Sequence, residues 1–212
     1  MNFLIKSGQG LKGEITIPGD KSISHRSIIL SSLAEGTSKI YGLLEGEDCL
    51  ATIEVFRNMG IKIINEEGVY SIEGNGLRGL DAPQKPLDFG NSGTSIRLCS
   101  GILSAQNFQS TLVGDSSLSS RPMQRIVEPL TDMGAKITSN NGTLPLNISP
   151  TDSLKSIDYL LPVASAQVKS CIMLAALYAE GVTKIQEGAV TRDHTENMLK
   201  QFGIPVNVEN SD

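Results

Sequence analysis

Long apolar runs that follow short polar turns are the main pattern of this chain. The clearest run begins near residue 166, and its apolar or small side chains recur at steps of three and four residues: Val168, Cys171, Ile172, Ala175 and Ala179. That spacing is the period of one helix face, and because apolar side chains also occupy most of the remaining circumference, we predict a buried helix. Apolar runs after the polar turns at 18–26 and 90–95 predict two more buried helices.

The order of these elements repeats three times along the chain. Each repeat has a short β-rich stretch, a polar turn, an apolar helix, a second β-rich stretch, an amphipathic helix that ends in glycine, and further β-rich stretches. Gly60, Gly134 and Gly203 end the three amphipathic helices and lie about 70 residues apart, a longer period than that of solenoid repeats. We therefore predict an α/β fold, a domain built from three β-α-β-α-β-β repeats around buried helices.

Local turn and cap signals predict the elements within the repeats. The β-rich stretches on either side of short turns predict a hairpin that pairs 61–65 with 69–73, and another that pairs 135–139 with 146–149. Asp48 is the predicted N-cap of the amphipathic helix that ends at Gly60, because a short polar side chain there can accept a bond from the first helical N–H groups.

Two segments do not fit three whole repeats. Residues 1–17 precede the first repeat without belonging to it, and the third repeat stops before the final strand that its siblings have. We therefore divide the chain into an N-terminal strand segment, residues 1–17, and a three-repeat domain, residues 18–212, whose third repeat is truncated at its end.

Composition narrows the classes of function. Of the 212 residues 39% are hydrophobic, enough for a globular core, and the net charge of −5 disfavours nucleic-acid binding. Cys49, Cys99 and Cys171 lack metal-ligand spacing and are predicted to be buried thiols in a reducing compartment. The start of the chain lacks the apolar segment of a signal peptide, and no run reaches the about 18 apolar residues of a membrane helix. We expect a cytoplasmic protein with no membrane partner, no metal and no other cofactor.

The polar turns before the three apolar helices carry the candidate chemistry. They read Gly-Asp-Lys-Ser, Gly-Asn-Ser-Gly-Thr and Ala-Ser-Ala-Gln, and each has a cation within a turn or two: Lys21, Arg26, Arg97 and Lys169. Unpaired N–H groups and a partial positive charge at a helix start favour anions. If the repeats pack symmetrically, the three starts converge into a receptor for a ligand with more than one anionic group, such as a phosphate and a carboxylate.

Each of these features also has an interpretation without a ligand. The Asn-Ser-Gly-Thr-Ser turn is typical of a capped helix start, Arg97 of a structural ion pair, and Lys169 of a structural or solvated lysine. His25 and His194 lack a metal-ligand partner pattern and are expected to be hydrogen-bonding or structural residues. The recurrence of all these features at equivalent places in the repeats favours the ligand-binding interpretation.

Five motifs, in one order, carry a family resemblance. They are Pro-Gly-Asp-Lys-Ser-Ile-Ser-His-Arg from residue 18, Gly-Asn-Ser-Gly-Thr-Ser-Ile-Arg-Leu from 90, the stretch Ser-Ser-Arg-Pro-Met-Gln-Arg from 119, Val-Ala-Ser-Ala-Gln-Val-Lys-Ser from 163 and Thr-Arg-Asp-His-Thr-Glu-Asn-Met-Leu from 191. Together they resemble the N-terminal half of 5-enolpyruvylshikimate-3-phosphate synthase, in the bacterial branch with the Ser-Ala-Gln-Val-Lys-Ser form.

The resemblance implies an activity and a missing partner. The family transfers the enolpyruvyl group of phosphoenolpyruvate to the 5-hydroxyl of shikimate 3-phosphate and releases phosphate, a step of aromatic amino acid biosynthesis in the shikimate pathway. Its members have two similar domains of three repeats each. The resemblance therefore implies that a C-terminal domain is the partner of this chain, and that residues 1–17 belong with that second domain.

The resemblance also implies roles for individual residues. Lys21 is implied as the residue nearest the chemistry, while the main acid and base groups lie in the other half, so this chain alone is expected to be inactive. The residues implied to bind shikimate 3-phosphate are Lys21, Ser22, Arg26, Ser165, Ala166, Gln167, Thr191 and Arg192. Those implied to bind phosphoenolpyruvate are Lys21, Asn91, Gly93, Arg121 and Gln167. A bare glycine at Gly93 further implies room for the inhibitor glyphosate.

Two alternatives remain at this point. The sister family, UDP-N-acetylglucosamine enolpyruvyl transferase, shares the fold but typically carries a reactive cysteine where this chain has Ser116, and a Lys-Asn pair where this chain has Lys21 and Ser22. The other alternative is a non-catalytic module that binds a phosphorylated ligand. Activity after co-expression with a second half would distinguish the enzyme from the module.

Overall fold

The computed structural model of the chain describes residues 3–8, 10 and 12–209. The helices are α1 (Lys21–Leu33), α2 (Glu47–Arg57), α3 (Gly93–Leu103), α4 (Ser116–Ser119), α5 (Gln124–Asp132), α6 (Ala166–Ala176) and α7 (His194–Gln201). The strands are β1 (Glu35–Tyr41), β2 (Lys62–Glu66), β3 (Val69–Asn75), β4 (Leu87–Asp88), β5 (Ser110–Val113), β6 (Lys136–Asn140), β7 (Thr143–Ser149), β8 (Leu154–Lys155), β9 (Asp158–Leu161), β10 (Ala179–Glu180) and β11 (Lys184–Glu187).

Both predicted hairpins are confirmed. Strands β2 and β3 pair antiparallel with Ile63 opposite Ile72, and β3 also pairs with β1 to give the order β1-β3-β2. Glu67 and Gly68, between β2 and β3, both have positive φ angles, 51° and 83°, which the tight turn of a two-residue hairpin requires. The second sheet has the order β4-β5-β7-β6, in which β4 is parallel to β5 and the other neighbours are antiparallel.

The three-repeat scheme is confirmed, but among the described residues only the second repeat has all six elements: β4, α3, β5, α5, β6 and β7, with the short α4 inserted before α5. The first repeat starts directly at α1, because residues 12–20 form no strand. The third repeat has β9, α6, β11 and α7, with β9 and β11 parallel, while residues 204–209 lie in no strand. A strand forms only where a neighbouring strand takes up its N–H and C=O groups, and these two stretches have no such neighbour in the described residues.

The core lies around the helices that the apolar runs predict. In α1, α3 and α6 the majority of residues are buried, and α3 packs along α6. Gly101 of α3 makes this packing close, because a Cβ atom at that position would lie 3.2 Å from the carbonyl carbon of Cys171 and 3.3 Å from the amide nitrogen of Ala175. The backbones of two helices therefore meet without an intervening side chain.

The N-terminal part of the chain is different from this core. The described residues before α1 form neither helix nor strand, and their large apolar side chains are exposed: Phe3, Leu4, Ile5, Ile15 and Ile17. Several exposed large apolar side chains in one short segment are uncommon in a folded domain and are typical of a segment that packs against a partner. None of the helices in the described residues is long and apolar enough to cross a membrane.

Candidate functional site

A capping side chain precedes each of the three buried helices. Asp20 Oδ1 accepts a hydrogen bond from Ile23 N at 2.8 Å at the start of α1, and Ser92 Oγ accepts one from Ser95 N at the start of α3. Ser165 does the same for α6 through the amide of Val168. The capped helix start that the sequence predicts at the Asn-Ser-Gly-Thr-Ser turn is therefore confirmed, and the other two turns are capped in the same way. A cap pairs with only one of the free N–H groups in the first turn, so a capped start can still bind an anion.

The starts of α3 and α6 are joined by Gln167. Its Nε2 donates to Thr94 Oγ1 at 3.1 Å, and its Oε1 accepts from Arg97 Nη1 at 3.0 Å. Arg97 also donates to the carbonyl oxygens of Gly93 and Pro122, at 3.1 and 3.2 Å. The sequence expectation that Arg97 forms a structural ion pair is not what the structure has, because these acceptors are all neutral. Arg97 thus keeps its full charge at the point where two helices begin.

The starts of α1 and α6 are joined by Arg26, which is only 4% exposed. Its Nη2 donates to Ser170 Oγ at 2.7 Å and its Nε to Thr195 Oγ1 at 2.6 Å, while Nη1 donates to the carbonyl of Ser22 within α1. Arg192, in the loop before α7, donates from Nη1 to Ser22 Oγ at 3.0 Å. At Ser22 and Arg26, helix α1 therefore meets α6, α7 and the 188–193 loop, although all three lie far from α1 in sequence.

Lys21 projects from the start of α1 and pairs with Asp48. This corrects the prediction that Asp48 is the N-cap of α2: the helix begins at Glu47 with Gly46 at the cap position, and Asp48 lies in its first turn. A carboxylate in the first helical turn is favoured by the helix dipole, so Asp48 can stabilise the start of α2 and pair with Lys21 at the same time. The Lys21 side chain remains 53% exposed, so its ammonium group is accessible.

His25 is buried directly beneath this pair. Its Nδ1 lies 2.8 Å from Thr52 Oγ1, and the Thr52 hydroxyl donates to the carbonyl of Asp48 at 3.0 Å, so Nδ1 is the nitrogen that donates. Burial lowers the pKa of His25 to about 4, with Lys21 and Arg26 adding to the effect and Asp48 opposing it. His25 is therefore a neutral structural histidine, as the sequence predicts, and it ties α1 to α2.

Asn91 and Arg121 form the outer part of the α3 start. Asn91 Nδ2 donates to Asp115 Oδ2 at 2.7 Å, and its Oδ1 accepts from Arg121. Gly93 lies between two guanidinium groups, because a Cβ atom there would be 2.8 Å from Arg97 Nη1 and 3.0 Å from Arg121 Nη1. The absence of a side chain at Gly93 lets both arginines approach the backbone of the helix start.

Thr191 and Lys169 lie in a partly buried ionic cluster that the sequence motifs do not indicate. Thr191 Oγ1 donates to Glu187 Oε2 at 2.7 Å, and Lys169 pairs with both Glu187 and Glu196. Lys169 is structural, one of the two interpretations left open, and it is 6% exposed rather than solvated. Glu187 and Glu196 flank the Thr-Arg-Asp-His motif, and this spacing is the one signal in the sequence that could have drawn attention to them.

The site carries more positive charge than its own carboxylates balance. Burial lowers the pKa of Arg26 to about 10, with the charge of Arg192 adding to the effect, and burial together with Arg121 and Arg125 lowers the pKa of Arg97. In the described part of the chain no carboxylate lies within ion-pair distance of the four arginines of the site, which are Arg26, Arg97, Arg121 and Arg192. Neighbouring positive charges without carboxylate partners favour the binding of anions. There are two such places, one around Arg26 and Arg192 and the other around Arg97 and Arg121.

Comparisons with known proteins agree with the resemblance seen in the motifs. The family model of EPSP synthase (3-phosphoshikimate 1-carboxyvinyltransferase) matches residues 5–212. The 3-phosphoshikimate 1-carboxyvinyltransferase of Hydrogenovibrio crunogenus is 55% identical over 100% of this chain and 48% of its own length, and that of Ruthia magnifica is 59% identical over 97% and 47%. EPSP synthase from Acinetobacter baumannii superposes with a TM-score of 0.90 at 55% identity, over 93% of this chain and 45% of that one. The chain spans about half the length of these relatives. It belongs to the EPSP synthase family.

Proposed function

We propose that this chain forms the N-terminal half of a transferase that moves the enolpyruvyl group of phosphoenolpyruvate to the 5-hydroxyl of shikimate 3-phosphate and releases phosphate. The observation that carries the proposal is the pair of cationic places around Arg26 and Arg192 and around Arg97 and Arg121, which have no carboxylate partners of their own in the described residues. Both substrates carry a phosphate and a carboxylate, so two neighbouring anion sites fit their chemistry.

Shikimate 3-phosphate is assigned to the place where α1, α6 and the 188–193 loop meet. Ser22 and Arg26 are proposed to hold its carboxylate. Arg26 has N–H donors left for it, since three of its five donate to residues within the described part of the chain. Its phosphate is assigned to the start of α6 and the adjoining loop. The residues assigned there are Ser165, Ala166, Gln167, Thr191 and Arg192, where Ala166 has only its backbone N–H to offer.

Phosphoenolpyruvate is assigned to the start of α3. Asn91, Gly93 and Arg121 line that start, and Gln167 bridges it to α6, so one amide side chain borders both substrates. Lys21 is proposed to contact both, since its exposed ammonium group projects from the start of α1. In the reaction the 5-hydroxyl gives up its proton to a base as its oxygen bonds to C2 of phosphoenolpyruvate, and C3 takes a proton to become a methyl group. The bond between C2 and the phosphate oxygen then breaks as the methyl group loses a proton, which restores the double bond and releases phosphate.

The second domain is the proposed partner of this chain. The exposed apolar side chains of Phe3, Leu4, Ile5, Ile15 and Ile17 support the division at residue 17, because they are suited to a strand that packs into another domain. The main acid and base groups are proposed to lie in that domain. Cys49, Cys99 and Cys171 are free and buried, which suits the reducing cytoplasm in which we place the protein.

Co-expression tests this proposal directly. The chain alone should release no phosphate from phosphoenolpyruvate and shikimate 3-phosphate, because half of a preorganised site is missing. The chain should show turnover, measured as phosphate release, when it is co-expressed with the C-terminal half of the Hydrogenovibrio crunogenus relative, which is the part that this chain does not match. Lys21→Met should abolish that turnover, and Lys62→Met, at an exposed lysine paired with Glu73, is the matched control.

The outcomes separate the alternatives. Turnover by the chain alone would contradict the missing-half proposal. A complex that forms with no turnover, while the chain binds shikimate 3-phosphate in titration calorimetry, would support the non-catalytic phospholigand module instead. Turnover with UDP-N-acetylglucosamine as acceptor would point to the sister activity.

Replacing Gly93 by alanine should raise the KM for phosphoenolpyruvate about tenfold in the co-expressed complex, because the new methyl group displaces the Arg97 and Arg121 guanidinium groups that it would touch. The KM for shikimate 3-phosphate should change by much less, because its proposed ligands lie on other elements. Gly13→Ala, where an added Cβ would meet nothing within 4 Å, is the control. An unchanged KM for phosphoenolpyruvate would contradict the assignment of Gly93 to the phosphoenolpyruvate site.

A further inference from the structure

One ammonium group joins both ends of the loop that carries Thr191 and Arg192. The loop, residues 188–193, runs from β11 to α7. Glu187 is the last residue of β11 and Glu196 lies in the first turn of α7, and Lys169 Nζ is 2.9 Å from Glu187 Oε1 and 2.6 Å from Glu196 Oε1. Because Lys169 is on α6, the two ends of the loop are tied to the helix whose start borders the proposed phosphate site.

Two of the three side chains in this cluster are buried and Glu187 is partly exposed, so disruption of the cluster is costly. Lys169 is 6% exposed and Glu196 is 7% exposed, and such groups are almost never buried without partners. Burial by itself would lower the pKa of Lys169, but the two hydrogen-bonded carboxylates outweigh it and leave the pKa above its usual value. Lys169 is therefore charged at neutral pH and holds both carboxylates.

A continuous set of contacts leads from Lys169 to the site. The second oxygen of Glu187 accepts from Thr191 Oγ1 at 2.7 Å, and the first accepts from the Thr191 backbone N–H at 3.4 Å. The next residue, Arg192, donates to Ser22 Oγ at 3.0 Å. The loop has little packing of its own, since Val190 at its centre is 95% exposed. Its conformation depends on these polar contacts more than on a hydrophobic core.

We propose that Lys169 is a positioning residue, which acts through Glu187 and Glu196 to hold the 188–193 loop so that Arg192 lies against Ser22. The ligand that Arg192 would meet there, the phosphate of shikimate 3-phosphate, rests on the proposed function. The positioning of the loop does not, because it concerns the chain without ligand.

The first test measures the loop itself. Lys169→Met alone leaves the buried Glu196 carboxylate and the partly buried Glu187 carboxylate without their cation and can prevent folding. The variant to use is therefore Lys169→Met/Glu187→Gln/Glu196→Gln, in which no charge of the cluster remains. Backbone amides of residues 188–193 should exchange with deuterium about tenfold faster than in the unaltered chain, while those of the β6–β7 hairpin keep their rates. Lys200→Met, at an exposed position of α7, is the control for the loss of a lysine. Equal exchange rates in the loop would overturn the proposal.

The second test asks whether Lys169 and Arg192 act together. Arg192→Gln should weaken binding of shikimate 3-phosphate to the chain about tenfold in the unaltered background, as measured by calorimetry, and less than twofold in the triple variant. Fully additive losses would show that the cluster only stabilises the fold, and would overturn the positioning role. Faster loop exchange in the triple variant, together with no binding of shikimate 3-phosphate by the unaltered chain or by its co-expressed complex, would support the positioning of the loop and contradict the proposed function.

Discussion

Replacing Gly101 by alanine should lower the free energy of unfolding by about 3 kcal/mol, because the change overpacks the contact between the backbones of α3 and α6. The new methyl group would overlap the carbonyl oxygen of Cys171 and would lie 3.3 Å from the amide nitrogen of Ala175. These are backbone atoms, so no change of side-chain rotamer relieves the contact, and α3 and α6 must move apart. Urea denaturation followed by circular dichroism measures the effect.

The control for this prediction is Gly188→Ala, where an added Cβ would meet nothing within 4 Å. That variant should stay within about 0.5 kcal/mol of the unaltered chain. Separation of the two helices should also weaken the bond between Gln167 and Arg97, which spans them. A loss below 1 kcal/mol for Gly101→Ala would mean that the helix pair yields more easily than its contact distances indicate.

His25 should make the stability of the domain fall as the pH falls from about 6.5 to 4. Its pKa is lowered from 6.5 to about 4 in the folded chain, so in this range the unfolded chain binds a proton that the folded chain does not. Its contribution to stability is complete above pH 6.5 and decreases by about 3 kcal/mol by pH 4. The group is fully buried, so solvent does not screen the effect.

Comparison with His25→Leu isolates this effect, because the carboxylates titrate in both proteins. The stability difference between the two proteins should change by about 3 kcal/mol between pH 7.5 and pH 4, as measured by urea denaturation at each pH. His194→Gln, which removes the second histidine, should retain the decrease in stability at low pH that His25 causes. Parallel stability curves for the unaltered chain and His25→Leu would contradict the prediction.

The parts of the fold that the sequence predicts well are those decided by neighbouring residues. The β2–β3 hairpin follows from alternating side chains and the Glu67-Gly68 turn, and the buried α6 follows from its apolar stripe. The capped helix start in the Asn-Ser-Gly-Thr-Ser turn, where Ser92 is the cap, is equally local. In each case the signal lies within a few residues of the feature, so no knowledge of packing is needed.

The site contacts are harder to predict because they join distant residues. Arg26 donates to Ser170 and Thr195, which are 144 and 169 residues away, and a cation at a helix start carries no sign of which hydroxyl it will meet. Asp48 has the chemistry of an N-cap, but the packing of α1 on α2 brings it to Lys21 instead. The buried state of Lys169 likewise depends on two glutamates that only the folded α7 and β11 bring together.

The two arginine pairs also have a consequence for the folding equilibrium. Like charges come together only in the folded chain, in the pairs Arg26 with Arg192 and Arg97 with Arg121. Their repulsion therefore lowers the free energy of unfolding. An anion that binds the folded state and not the unfolded state raises the free energy of unfolding by mass action. The concentration of such an anion and the fraction of folded protein are therefore thermodynamically linked, and the chain is less stable where no such anion is present.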